Sequence, residues 1–293
     1  MGEAAEAAAA QPRLLGLPGE IRAEVVATQA LGRRVGFVPT MGALHAGHLA
    51  LVERAAADCD DVVVSVFVNP TQFGPHEDFA RYPRNLAADL SLLAGRGVRW
   101  VFAPAVESMY PPGHATRIEV GGPAIGFEGV IRPAHFSGVA TVVCRLFQCV
   151  PADAAYFGAK DWQQTRVVAR MVADLGLPLT VVVCPTVREP DGLAMSSRNA
   201  YLSAGDRERA VSLSRAVAEA EALWSSGSEV AAIEMAMRAC MVDRGVEVEY
   251  AAVVDAESLG PVSAGAAVAL VAGRLGSTRL LDNALLPARG GSG

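Results

Sequence analysis

No CxxC pair occurs in this 293-residue chain, and its five cysteines, Cys59, Cys144, Cys149, Cys184 and Cys240, are odd in number and widely spaced. That pattern argues against a zinc-ligand set and against a disulfide framework, which need closely spaced or paired thiols. Buried free thiols in a reducing, cytoplasmic setting are the expectation. Charge is also scarce: Asp, Glu, Lys and Arg make up 19% of the residues and sum to −6. Without a basic surface the chain has no broad, sequence-independent grip on nucleic acid, although a local basic pocket is compatible with the balance. Long apolar runs are missing too. Stretches such as "AAVALVAG" are too short to span a bilayer. The start, "MGEAAEAAAAQPRLL", is acidic where a secretory signal would need a basic region. The first ten residues and the end, "ARGGSG", are expected to be flexible.

Hydrophobic residues are abundant, at 52%, enough for one large core or two smaller ones. The chain reads as a helix over 19–32, a buried strand over 34–39, a helix over 44–57 and a β-branched strand over 61–68. A polar loop follows over 69–83, then a helix over 85–97 and a third strand over 98–104. A further helix over 161–176 and a fourth strand over 179–185 close the pattern. Alternating strands and helices predict a parallel α/β sheet with crossover helices, and continuously apolar strands predict burial on both faces. Beyond a polar stretch, "PTVREPDGLAMSSRNAYLS", come two amphipathic helices near 204–226 and 229–244 and strand-like runs at 248–254 and 266–273. The boundaries are drawn at 1–185 for the first domain and 186–293 for a smaller α+β domain. No internal repeat is visible.

In open α/β sheets, ligands collect at the carboxyl ends of the strands. "VPTMGALHAGH", Val38 to His48, leaves the first predicted strand there and opens a helix. Gly42 allows close backbone approach, and the helix start offers unpaired N–H groups and a positive dipole end. His45 and His48, three apart, share one helix face. They suit phosphate oxygens, and they could stabilise charge as a phosphorus–oxygen bond breaks. Alone, the pair would also fit satisfied surface histidines. A metal site would want a third ligand, and none is near in sequence.

"GAKDWQQT" offers Lys160 as a point charge for phosphate and Asp161 as an acceptor for ribose hydroxyls, with Gln164 one turn later. "LAMSSRN" lines up Ser196, Ser197 and Arg198, a set suited to a loop that closes over a triphosphate. Asn69 and Gln72 in "FVNPTQF" are neutral amides suited to a small hydroxy acid. Arg132 and His135 in "RPAHFSGV" stand beside a loop. An N-capped helix, a polar linker, an Asn-Pro turn and a surface turn would explain these four stretches one at a time.

Taken in order, "PTMGALHAGH", "VFVNPTQFGPHEDFARYPR", "RPAHFSGVATVV", "FGAKDWQQ", "VREPDGLAMSSRNAYLS" and "RLGSTRLLDN" resemble the pantoate–β-alanine ligase (pantothenate synthetase) family, within the HIGH-motif nucleotidyltransferase superfamily. The resemblance spans about residues 20 to 285. It implies a Rossmann-like first domain, a C-terminal lid, Mg²⁺ and a homodimer. It also implies a two-step reaction in the pathway to coenzyme A. Pantoate and ATP form pantoyl adenylate and pyrophosphate, and β-alanine then displaces AMP to give pantothenate. By resemblance, His45 and His48 face the reacting phosphates, and Lys160, Ser196, Ser197 and Arg198 bind the triphosphate. Asp161 and the Gly158 backbone hold the ribose, and the backbones near Val187 and Met195 read adenine. Gln72 and Gln164 bind pantoate with Met41 and Pro39 walling its pocket, Asn69 and Arg132 line the site, and Asp89 is the position for Mg²⁺, through phosphate oxygens and water. No covalent nucleophile is needed.

The chain departs from the family pattern at Ala46, Ala159 and Ala200, where acidic, amide or basic residues are common. Two other readings stay open on sequence alone. One is a related nucleotidyltransferase acting on a phosphorylated acceptor, which should need cationic residues where Gln72 and Gln164 stand. The other is a non-catalytic ATP-binding module. The acidic balance argues against a tRNA-charging role.

Overall fold

Val35–Pro39 is an uninterrupted apolar run that needs cover on both faces, so its strand, Val35–Thr40, sits in the middle of a sheet. In the computed structural model, which describes residues 11–75 and 77–289, that strand is β2. Expectations for residues 1–10 and 290–293 lie outside the described residues. The other strands of the sheet are β1 (Arg13–Leu15), β3 (Asp61–Val66), β4 (Val98–Phe102), β5 (Ala154–Gly158) and β6 (Thr180–Cys184). They pair in parallel in the order β1-β4-β3-β2-β5-β6. The chain runs outward from β2 through β3 and β4, then returns to add β5 and β6 on the other side. The carboxyl ends of β2 and β5 therefore flank a topological switch point, where open α/β sheets place their ligands.

Helices cover both faces. They are α1 (Pro18–Gln29), α2 (Ala46–Asp58), α3 (Leu86–Leu93), α4 (His135–Cys149) and α5 (Trp162–Asp174). One apolar cluster joins Ile21, Phe37, Trp100, Phe147 and Met171, and another joins Val38, Val52, Val64 and Leu93. The sheet has two strands more than the four expected, β1 and β5, and α4 was not expected either. α4 buries ten of its fifteen residues, so packing outweighs the modest helix propensity of its "TVV" run.

Past β6 come α6 (Ala204–Ser225) and α7 (Val230–Val242), which lie near the expected limits. They cover an antiparallel sheet of β7 (Glu247–Asp255), β8 (Ala267–Leu275) and β9 (Thr278–Leu286). β9 was not expected: its apolar run is interrupted by Asp282 and Asn283, which are both buried in the structure. Among the described residues, no helix is long and apolar enough to cross a membrane. All five cysteines are free, two of them buried and three partly so.

The two sheets meet through polar as well as apolar contacts. Trp162 of α5 packs with Val254, Val268 and Leu270 of the second sheet and donates its Nε1–H to the Ala256 carbonyl at 2.9 Å. Glu128, 5% exposed, stands in a helical turn before α4 and receives both ends of the Arg279 guanidinium from β9 at 2.6 Å. The Tyr250 hydroxyl of β7 donates to the same carboxylate at 2.8 Å. Burial would push the Glu128 carboxyl up, but these partners and Arg132 hold it below the ordinary carboxylate range. Its N–H donates to Gln163, whose amide in turn donates to the Pro123 and Gly126 carbonyls. Phe127, at φ 50° and ψ −110°, is forced through a conformation that costs about 1–3 kcal/mol to aim Glu128 inward.

Removing one member of a buried pair leaves its partner's charge uncompensated, at a cost of about 3–5 kcal/mol. Glu128→Ala is therefore expected to lower stability by about 3 kcal/mol. Urea unfolding followed by circular dichroism checks this, and an unchanged midpoint contradicts it.

Candidate active site

Beyond Thr40 the chain must turn sharply to start α2 under the end of β2. Gly42 takes φ 80° and Ala43 φ 51° to do so. A Cβ at Gly42 would stand 2.9 Å from an Asp89 oxygen and from Val66, so no larger residue fits. The Asp89 carboxylate accepts the N–H groups of Ala43 at 3.1 Å and Leu44 at 2.8 Å. Asp89 is 3% exposed and does not reach the cavity. As a position for Mg²⁺, even one reached through phosphate oxygens and water, Asp89 is displaced: its two oxygens accept the N–H groups of the turn and it stands outside the cavity lining. No group of three or more His, Cys, Asp or Glu with metal-binding geometry occurs among the described residues.

The turn delivers His45 as the N-cap of α2. Its Nδ1 accepts the Gly47 N–H at 3.1 Å, and the Nδ1 of His48 accepts the His45 N–H at 3.3 Å. The rings lie 4.1 Å apart, centre to centre. Two orphan helix N–H groups are thus satisfied by the imidazoles. With both Nδ1 atoms accepting, each neutral ring carries its proton on Nε2 and keeps that donor for the cavity. Gly47 is needed because a Cβ there would lie 2.9 Å from the His45 ring. Burial, the His45 charge and Lys160 push the His48 pKa down to about 3, and burial with Lys160 also lowers that of His45.

These histidines face a cavity of about 880 Å³ between the two sheets. Every other expected site residue lines it: Pro39, Met41, Asn69, Gln72, Arg132, Gly158, Lys160, Asp161, Gln164, Val187, Met195, Ser196, Ser197 and Arg198. Lys160 follows β5 directly, across the switch point from His45. It is the chain's only lysine among 25 Lys and Arg residues, and its Nζ lies 3.6 Å from Asp161. Ser197 donates to the Ala43 carbonyl at 3.2 Å, tying its loop to the β2 turn. Ser196 accepts from the Arg198 N–H at 3.2 Å. Met195 already donates its N–H to Val187 O at 3.0 Å, which leaves the Val187 N–H and the Met195 carbonyl for a ligand.

On the opposite wall, Asn69 is only 1% exposed and its amide is committed. It donates to Gln72 Oε1 at 3.1 Å and to the Gly138 carbonyl at 3.2 Å, while its oxygen accepts from Tyr110 at 2.8 Å. It therefore orients Gln72 rather than offering a group of its own. Gln72 donates to Met41 Sδ at 2.9 Å. Gly138 packs directly on this loop: a Cβ there would come within 2.4 Å of the Thr71 carbonyl. His135 donates from Nδ1 to the Gln72 carbonyl at 3.0 Å and accepts from Arg132 at 3.1 Å through Nε2. Burial and Arg132 lower its pKa to about 4. Among the described residues, no intramolecular hydrogen bond engages the Gln164 side chain.

Several contributors were not picked out from the sequence. Glu77 forks onto Arg132, and Asp78 forks onto Arg198 with two bonds of 3.0 Å. Two adjacent carboxylates of the 69–83 loop thus each orient one cavity arginine. The departures from the family pattern are structurally quiet. Ala46 and Ala200 face solvent, and Ala159 packs against the apolar contact between the two sheets.

Known proteins resemble this chain over most of its length. The family described as Pantoate-beta-alanine ligase matches residues 16–285. A pantothenate synthetase of Thermus thermophilus is 55% identical over 256 residues, covering 85% of this chain and 92% of that one. One from Rhizorhabdus wittichii is 51% identical over 267 residues, covering 90% and 95%. A crystal structure of the Thermus thermophilus pantothenate synthetase superposes with a TM-score of 0.88 at 50% identity, covering 93% of this chain and 98% of that one. The pantoate-beta-alanine ligase of Francisella tularensis, solved with β,γ-ATP and β-alanine, gives 0.78 at 32% identity, covering 94% and 97%.

His48 and His135 should stay neutral down to about pH 4, so their Cε1–H NMR signals should not move between pH 5.5 and 8. Below pH 6.5 the unfolded chain binds protons at both residues while the folded chain does not, so stability falls as pH drops from about 6.5 toward 4. A midpoint near 6.5 for either signal would contradict the inward, Nδ1-bonded geometry.

Proposed function

The chain belongs to the pantoate–β-alanine ligase family and is an ATP-dependent ligase that forms pantothenate, and from that premise we propose how its residues divide the work. The supporting observation is the pair of neutral Nε2–H donors at the start of α2, across the switch point from Lys160. In the first step a pantoate carboxylate oxygen attacks the α-phosphorus of ATP. A new oxygen–phosphorus bond forms, the bond to the β-phosphate bridge breaks, and pyrophosphate leaves with the electron pair. His45 and His48 donate to the α-phosphate oxygens as charge builds on them. Lys160 and Arg198 balance the triphosphate, with the Ser196 and Ser197 hydroxyls as further donors. Arg198 meets Asp78 through Nε and one terminal nitrogen, which leaves its other terminal nitrogen for phosphate.

Asp161 and the Gly158 backbone take the ribose hydroxyls, and the Val187 N–H and Met195 carbonyl take the adenine edge. Gln72 and Gln164 bind the hydroxyls and carboxylate of pantoate against Met41 and Pro39, with Asn69 and Arg132 holding that wall in place. In the second step the free amine of β-alanine attacks the acyl carbon, the carbon–oxygen bond to AMP breaks, and the amine gives up a proton. Catalysis is positioning plus charge stabilisation, with no covalent enzyme intermediate. Mg²⁺ arrives with ATP, held by phosphate oxygens and water. Among the described residues no group of three or more His, Cys, Asp or Glu is placed to hold it without the nucleotide.

The division at residues 185 and 186, a homodimer and a cytoplasmic location complete this reading. Ile125 and Val130 are each 69% exposed, apolar surface suited to a second copy. Five free thiols suit a reducing compartment. Sedimentation should give twice the mass of one chain, and a monomer at micromolar concentration would remove the dimer from the proposal.

Pantoate-dependent pyrophosphate release that becomes sustained only with β-alanine is the expected behaviour. His48→Ala should lower adenylate formation by about 100-fold or more, the scale seen when one transition-state donor is removed. Normal turnover in a folded His48→Ala protein would end the histidine assignment.

A further inference from the structure

The segment "RLGSTRLLDN", residues 274–283, carries part of the family resemblance, yet none of its side chains has a role in the mechanism above. In the structure it runs through β9 along the cavity, and three of its residues reach out of their own sheet. Arg279 forks onto Glu128, and Asp282, 3% exposed, is gripped by Arg188 at 2.6 and 3.1 Å. Asn283, 6% exposed, donates both amide hydrogens to consecutive carbonyls, Ala159 at 2.9 Å and Lys160 at 2.6 Å. Only the nitrogen end of the amide can meet two carbonyls, so the partners fix its orientation. The Asn283 N–H donates to Asp282 at 2.8 Å, which joins the two anchors.

These three contacts fall on three parts of the site: the Glu128 turn, the Val187–Met195 hairpin through Arg188, and the short turn that carries Lys160. The lysine turn is otherwise held by the apolar packing of Ala159 and by its continuation into α5. It is a three-residue stretch, Ala159–Asp161, between the end of β5 and the start of α5, without a side-chain cap. We propose that Asn283 is a positioning residue for Lys160. The C-terminal domain then supplies the hydrogen-bond frame of the lysine as well as a cover for the cavity. Arg279 and Asp282 hold β9 at the height where the Asn283 amide meets the turn. This rests on the role given to Lys160 above.

The test uses the full chain. Asn283→Asp keeps the shape but turns two donors into acceptors facing carbonyls, and Asn283→Ala removes both bonds. Each is expected to lower single-turnover, pantoate-dependent pyrophosphate release by about 10- to 100-fold, the scale of two lost hydrogen bonds, with Asp the worse. Combined with Lys160→Ala, Asn283→Ala should cost less than about twofold more, because residues acting as one unit are non-additive. Since the chain has one lysine, protein grown on ¹³C,¹⁵N-lysine reports Lys160 alone. Its side-chain signal, and the shift of that signal on adding ATP, should change in both Asn283 variants. A fully multiplicative double variant, or an unaltered lysine signal in either variant, overturns the proposal. If Asn283→Asp fails to fold, Asn283→Ser, with one donor left, takes its place with the same criteria. If Lys160→Ala alone leaves the rate unchanged, the role of the lysine falls and this proposal falls with it. A loss in Lys160→Ala beside multiplicative effects removes Asn283 only.

Discussion

Two backbone N–H groups pointing at the carboxylate of Asp89 decide where this site stands. Leaving β2, the chain passes through two successive residues with positive φ, Gly42 and Ala43, before α2 begins. Ala43 bears a Cβ and is strained there, and the bonds from Ala43 and Leu44 to Asp89 offset that strain. Asp89 is itself placed by α3, whose first turn is capped by the Asn85 side chain at 3.1 Å. The His45 cap, and the docking of Ser197 onto the Ala43 carbonyl, inherit their positions from this turn. A residue that reads as a metal ligand is, in the fold, the support under the histidines.

The histidines divide their nitrogens between structure and chemistry. Nδ1 of each completes the helix start and Nε2 faces the cavity, so the fold itself selects the tautomer. The opposite wall follows the same economy. His135 binds the Gln72 backbone, Asn69 binds the Gln72 side chain, and Arg132 lies between Glu77 and His135. Side chains committed to one another hold Gln72 in place.

Much of this could be read from the sequence, because β2 and β3 are rich in consecutive apolar, β-branched residues and α2 and α3 show regular apolar spacing. Nearly every expected site residue lines one cavity, since turns after parallel strands must converge at one end of the sheet. What escaped has physical reasons. β5, "AAYFG", is short and alanine-rich and carries no alternation. α4 mixes a glycine with β-branched residues, and its helix is decided by burial. β9 interrupts its apolar run with Asp282 and Asn283, whose partners, Arg188 and the Lys160 turn, lie about a hundred residues away in sequence. Asp89 carried no local sign that its oxygens would face backbone.

Depressed imidazole pKa values have a kinetic consequence. With His48 and His135 uncharged well below neutrality and the arginines charged throughout, the charge of these cavity groups barely changes between mildly acidic and mildly alkaline solution. The incoming amine differs, because near neutrality it is mostly ammonium and cannot attack. In the proposed second step the pH dependence then enters through the substrate amine, whose unprotonated fraction rises with pH. On this reading acidity acts on the incoming substrate before it acts on the folded imidazoles.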